Sequence, residues 1–154
     1  MAALLAAAPR HLRVASATES GDAVTRSHLA DGRCVGWYAP SIPGWRVAVD
    51  AEYVGAQVPP MLAHRFGTAN FWARWTRTEC VAKLADVPMV ALWRQHGLSA
   101  PTGTVRLWRT LILSPSGRAG EPGPVDRAGL SDLVVTVAFA PCLAAPGSCL
   151  AAPD

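Results

Sequence analysis

The sequence predicts an α+β domain, an antiparallel sheet packed on a long helix. Three observations carry this. Segments rich in β-branched and aromatic residues lie on both sides of a helical centre, the longest helical pattern runs from about residue 70 to 85, and no internal repeat interrupts the order strands, helix, strands. With 154 residues, 51% of them hydrophobic and 16% charged, the chain has the material for one packed domain.

MAALLAAAPR has an apolar run too short to span a bilayer and no basic residue before it, so residues 1–10 are expected to be a frayed, alanine-rich terminus. HLRVASAT, from His11 to Thr18, alternates loosely as a strand, and Thr25 to Ala30 follows as a polar connection holding Ser27 and His28. GRCVGWYA (32–39) and WRVAVDAEYV (45–54) have strand composition and are separated by PSIPG, which predicts a hairpin. VPPMLAHRFGT (58–68) predicts a short helix opened by prolines and closed at Gly67. Asn70 is the expected N-cap of the long helix FWARWTRTECVAKLA, which Asp86, Val87 and Pro88 interrupt. PMVALWRQHGL (88–98) restarts a helical pattern that ends at Gly97. Strands follow at TVRLWRTLIL (104–113) and DLVVTVAFA (132–140), joined by the glycine- and proline-rich SPSGRAGEPGPVDRAG. A single domain over 11–141 and an unpatterned tail over 142–154 complete the organisation.

The formal charge of +3 comes from thirteen scattered arginines and one lysine, Lys83, against eleven carboxylates. Scatter of this kind excludes a dedicated nucleic-acid stripe but leaves room for a small polyanion, which needs only two or three converging cations. Cys34, Cys80, Cys142 and Cys149 form no C-x-x-C pair and have no metal spacing to the four histidines, which excludes a structural zinc site. They are expected as reduced thiols of a cytoplasmic protein, with Cys142 and Cys149 able to pair.

On a strand, Asp50 and Glu52 project from one face, with Cα atoms roughly 6.6 Å apart. Two anions at that distance repel by ~0.6 kcal/mol in water but by ~2.5 kcal/mol at an effective dielectric near 20. On a solvated strand edge the pair is harmless; in a cleft it wants a cation. Phe71, Trp75, Glu79 and Lys83 recur every four residues along the long helix, the pattern of an apolar anchor followed by an intrahelical ion pair worth about 0.2–0.5 kcal/mol. Should Glu79 face the strand carrying Asp50 and Glu52, three hard-oxygen ligands suited to Mg²⁺ would converge, with Lys83 one turn away for a phosphate.

In order along the chain stand Ser27-His28, ADGRCVGWYA, VAVDAE and WTRTECVAKLAD. Together these segments resemble the motif series of the 4′-phosphopantetheinyl transferases: a serine-histidine pair, an Asp-x-Glu strand, then W-x-x-K-E-A-x-x-K-x-x-G on a helix. The closing DLVVTVAFAP resembles the last strand of that fold, and the likeness covers roughly residues 25 to 140. It implies Mg²⁺-dependent transfer of the phosphopantetheine arm of coenzyme A to a serine of an acyl or peptidyl carrier protein, in secondary metabolism; thirteen arginines against one lysine, with the alanine, proline and glycine load, point to a GC-rich bacterium as the source. It further implies that Asp50, Glu52 and Glu79 hold the metal, that Glu79 helps deprotonate the serine, that Lys83 contacts the coenzyme A phosphates and that His28 meets the 3′-phosphate. Thr78, Cys80 and Asp86 depart from the family's lysine, alanine and glycine, and Arg77 or Arg74 is the expected replacement for the missing cation. The room before the Asp-x-Glu strand is enough only for a reduced first lobe, which implies either completion of the site by a second copy or loss of part of the original activity. Two other readings compete: a repurposed relative that promotes cyclisation or rearrangement of a biosynthetic intermediate in the old cofactor cleft, and a non-catalytic module that binds a carrier protein.

Overall fold

The computed structural model describes residues 1–16, 18–99, 107–114 and 132–142. Two three-stranded antiparallel sheets form the frame. In the first, β1 (Leu12–Ser16) and β2 (Thr25–His28) pair with opposite edges of β3 (Arg33–Trp37). In the second, β6 (Leu133–Pro141) runs between β4 (Trp45–Tyr53) and β5 (Leu107–Leu113). β6 is buried from Leu133 to Ala140, as a central strand covered on both faces must be.

Period-two alternation divides the second sheet between two cores. Val49, Ala51, Val135, Val137 and Phe139 join Leu12, Val35 and Trp37 of the first sheet. Ala48, Ala138 and Ala140, from the opposite face, meet Cys80, Val81 and Leu84 of α4 (Phe71–Ala85). Small residues on that face let the helix approach the strands closely. Three threonines tie the contact: Thr136 Oγ1 on β6 lies 2.8 Å from both Thr76 Oγ1 on α4 and Thr110 Oγ1 on β5. On its outer side α4 packs against α5 (Met89–His96), where Phe71, Trp72, Trp75 and Trp93 form an aromatic cluster with centroid spacings of 4.9–6.3 Å. α3 (Pro60–Phe66) adds Phe66 to it, 6.0 Å from Trp93. α4 is therefore buried on two sides.

Several local expectations are corrected. The opening residues are not frayed: α1 (Ala2–Ala6) and α2 (Ala8–His11) dock through buried Leu5 and Ala8, and the Arg109 guanidinium donates to the Leu5 and Ala6 carbonyls at 2.9 and 2.7 Å, supplying acceptors at the helix end with donors. Ser27 and His28 lie in a strand rather than a connection. The predicted hairpin does not form either, because both edges of β3 are taken by β1 and β2 while all nine residues of β4 pair with β6; PSIPG is the crossing between sheets. The tight turn lies one segment earlier, between β2 and β3, where Gly32 at φ 83° allows Gly32 N–H to reach the Leu29 carbonyl at 3.1 Å. Asn70 adopts a left-handed conformation and makes no side-chain cap. Gly67 and Gly97 end α3 and α5 with positive φ, as expected. Residues 115–131, holding most of the glycine-rich connection, and 143–154, holding Cys149, lie outside the described residues.

Asp86 closes α4 at φ 56°, with Val87 N–H reaching back to the Ala82 carbonyl at 3.1 Å. A non-glycine residue is strained there, so Asp86→Gly is expected to stabilise the fold by about 1 kcal/mol, a rise of ~2–4 °C in Tm on thermal unfolding. Thr136→Val, which removes the shared hydroxyl from a buried contact, is expected to cost about 1–2 kcal/mol in urea unfolding.

Candidate functional site

β4 turns Arg46, Ala48, Asp50 and Glu52 toward α4, by the alternation that sends Val49 and Ala51 into the other core. α4 lies over this face with Glu79 and Lys83, one turn apart, on its β4 side. Lys83 Nζ donates to Asp50 Oδ1 at 2.8 Å and to the Val49 carbonyl at 2.9 Å, and stands 3.9 Å from Glu79 Oε1. From the other direction Ser27 on β2 donates its hydroxyl to Asp50 Oδ1 at 2.9 Å and accepts the Ala51 N–H at 3.2 Å. Asp50 is thus held by a strand of each sheet and by the helix, with a side chain only 4% exposed. Its second oxygen, Oδ2, is buried with no hydrogen-bond partner.

Electrostatics bind the three carboxylates into one group. Burial, reinforced by the charges of Asp50 and Glu79, pushes Glu52 up to about 7. Burial pushes Asp50 up to about 6, with the Lys83 ammonium pulling against it and Glu79 pushing with it. For Lys83, burial acts to lower the value, but the Asp50 charge and hydrogen bond prevail and raise it. Beside this cluster lies a pocket of about 380 Å³, lined by Glu79, Lys83, Asp86 and the turn from Val87 to Met89.

The other sequence candidates lie elsewhere. His28 is exposed, next to buried Ser27 on β2 and on the opposite face. Arg77 does not join the cluster: six residues from Lys83, it lies about 120° around the helix, and its guanidinium stacks over Trp108 of β5, 5.5 Å from the ring centroid. Arg74 is spent on the Phe66 and Ala69 carbonyls. Neither replaces the absent lysine. Thr78 is wholly buried, its hydroxyl bonded to the Arg74 carbonyl, and Cys80 donates to the Thr136 carbonyl as a core thiol that burial raises well above its usual range. Two residues were missed as participants. Ser27 stood in the motif series only as the neighbour of His28, because a single hydroxyl in a polar stretch does not announce a buried partner. Arg46 donates to the Lys83 carbonyl at 3.1 Å near the C-terminal end of α4, a placement the period-two pattern of β4 could have suggested.

The donor set suits a hard cation in part. Asp50 Oδ2 is a buried acceptor without a partner, and Glu52 and Glu79 carry oxygen ligands of the same kind. Among the described residues, however, no group of three His, Cys, Asp or Glu forms a ready cage, and Lys83 covers Asp50 Oδ1. Among the described residues no helix is long and apolar enough to cross a membrane, and Cys34, Cys80 and Cys142 are free thiols. Comparison with family models, with curated proteins and with solved structures returns no match.

Both Asp50 and Glu52 have folded values above their unfolded ones, so the stability tied to their protonated forms is complete below about pH 4 and is lost as pH rises through 6 and 7. In metal-free buffer Glu52→Gln is expected to exceed the wild type in stability near pH 8 by about 1–2 kcal/mol, with solvent screening of the half-buried carboxylate allowed for. The gap should close near pH 4. Urea unfolding at the two pH values measures it, and a gap that does not change with pH would show that Glu52 is not part of a repelling cluster.

Proposed function

We infer that the protein is a Mg²⁺-dependent transferase that moves the 4′-phosphopantetheine arm of coenzyme A to a serine of an acyl or peptidyl carrier protein. The observation that carries this reading is that the charges of Asp50, Glu52 and Glu79 act on one another beside a buried Asp50 oxygen without a hydrogen-bond partner, with the chain's only lysine bonded to Asp50 and an open pocket at Glu79 and Lys83. The motif series also calls for an Asp-x-Glu strand under a long helix, and β4 and α4 stand in that relation.

Each side chain then has a task. Asp50 Oδ2 and the Glu52 carboxylate would hold the ion, with Glu79 at the pocket wall as a third oxygen donor. When bound, the ion supplies neutralisation of the diphosphate charge. Lys83, on the same wall, donates to a phosphate oxygen and helps fix the diphosphate for in-line attack. Glu79 accepts the proton of the attacking serine hydroxyl; the serine oxygen bonds to the β-phosphorus next to the pantetheine arm, and the diphosphate bridge breaks to release adenosine 3′,5′-bisphosphate. Catalysis of this kind rests on positioning and charge rather than on a covalent intermediate.

One observation favours a second reading. The Lys83 ammonium already neutralises Asp50, an arrangement that serves a metal-free cleft as well, as in a repurposed relative acting on a biosynthetic intermediate. Incubation with coenzyme A, Mg²⁺ and an apo carrier protein is expected to add one phosphopantetheine arm to the carrier, read by intact mass. Glu79→Gln is expected to lower the rate at least ~100-fold. Coenzyme A binding that is indifferent to Mg²⁺ in calorimetry, with no mass gain, would favour the metal-free cleft instead.

A further inference from the structure

We propose that Ser27 is a positioning residue: its hydroxyl fixes the Asp50 carboxylate, and through it holds the Lys83 ammonium at the pocket wall where a phosphate group of the substrate would be received. The inference rests on the transferase reading above and adds a residue that acts without touching substrate.

The hydroxyl has little freedom. Ser27 is buried on β2, and its Oγ accepts the Ala51 N–H at 3.2 Å, so its own proton is directed to Asp50 Oδ1 at 2.9 Å. The same Oδ1 accepts from Lys83 Nζ at 2.8 Å. Backbone, hydroxyl, carboxylate and ammonium thus form one chain of hydrogen bonds that links β4, β2 and α4. Among the described residues Asp50 Oδ2 has no partner, so apart from Lys83 itself only Ser27 decides which way the carboxylate turns. Of the three ammonium donors, one meets Asp50 and one the Val49 carbonyl at 2.9 Å, while Glu79 Oε1, at 3.9 Å, is too far to accept the third. Lys83 is partly exposed and lines the pocket of about 380 Å³, so a donor is left for a ligand there. The carboxylates of Glu79 and Asp86 on the same walls disfavour an anion, which makes the placement of the one ammonium matter more. A lysine on a free four-carbon stem must lose rotamer freedom when it binds; one held in advance has already lost it.

Lys83 is the chain's only lysine, so its side-chain ammonium gives a single signal to follow by nuclear magnetic resonance. In Ser27→Ala that signal is expected to shift and broaden, and coenzyme A titrated calorimetrically is expected to bind about tenfold more weakly than to the wild type. Ser27→Thr, which keeps the hydroxyl on a strand that suits a β-branched residue, is expected to restore both. Should Ser27→Ala fail to fold, Ser27→Cys, of similar size and a weaker donor, carries the same expectation. A hydroxyl that served stability alone would lower the Tm and leave both the signal and the affinity of the folded variant as in the wild type; that result overturns the positioning and leaves the transferase reading standing. A changed signal beside unchanged coenzyme A affinity overturns it as well. Absence of coenzyme A binding by the wild type overturns the transferase reading, and the Lys83 signal alone then decides whether Ser27 holds the lysine.

Discussion

The buried carboxylate of Asp50 is the constraint around which the rest is arranged. A charge removed from water is costly unless it is paired and hydrogen-bonded. The pairing recruits three parts of the chain at once: Ser27 from the first sheet, β4 from the second and Lys83 from the covering helix. The same contact registers β2 beside β4, so the two sheets meet at the site, and it sets the rotation of α4 by drawing Lys83 down onto the strand. Even so, compensation is incomplete. Oδ2 has no partner, and Glu52 and Glu79 add charge of the wrong sign. Burial answers that imbalance by raising Asp50 and Glu52, which favours their neutral forms.

The long helix shows how one pattern serves two surfaces. Residues four apart on an α-helix drift by about 40° per step, so the row Phe71, Trp75, Glu79, Lys83 does not stay on one face. It starts among the aromatic side chains shared with α5 and ends over β4. The aromatic half anchors the helix outward while Thr76 and Cys80 grip β6 below. The charged half then emerges at the seam between the two packing surfaces. That seam is where a pocket can open without breaking either core, and the pocket beside Glu79 and Lys83 lies there.

Much of this was legible in the residues, for identifiable reasons. The α+β class, the extent of α4, and β4 and β6 follow from strong periodicity, composition and breakers such as Pro88 and Gly97. The positions of Asp50 and Glu52 on one strand face, and of Glu79 and Lys83 on one helix flank, follow from the two repeat lengths alone. What failed depended on pairing. PSIPG resembles a hairpin turn, but the partner of β4 lies about ninety residues later in β6, and no local feature announces a contact so distant. The polar stretch TRSH forms a strand because its one buried side chain finds Asp50, and hydrophobicity cannot report such a partner. Arg77 was a candidate by proximity in sequence, yet two residues before Glu79 is the far flank of the helix. The alanine-rich opening is made of good helix formers but is too short to hold a helix alone, and it is held by Arg109, over a hundred residues away.

The sequence by itself determined the chemical inventory: three carboxylates and one lysine at spacings that align them in pairs, one pair per element. Spacing within an element is set by backbone geometry, which is the same in every protein. Only the tertiary structure decided that the two pairs face each other, that Ser27 joins them, that Arg77 does not, and that the ammonium rests on Asp50 rather than in the open pocket. Those outcomes depend on which strand lies beside which and on how far the helix is rotated over the sheet. Both are fixed by burial and by long-range pairing, and neither leaves a periodic trace along the chain.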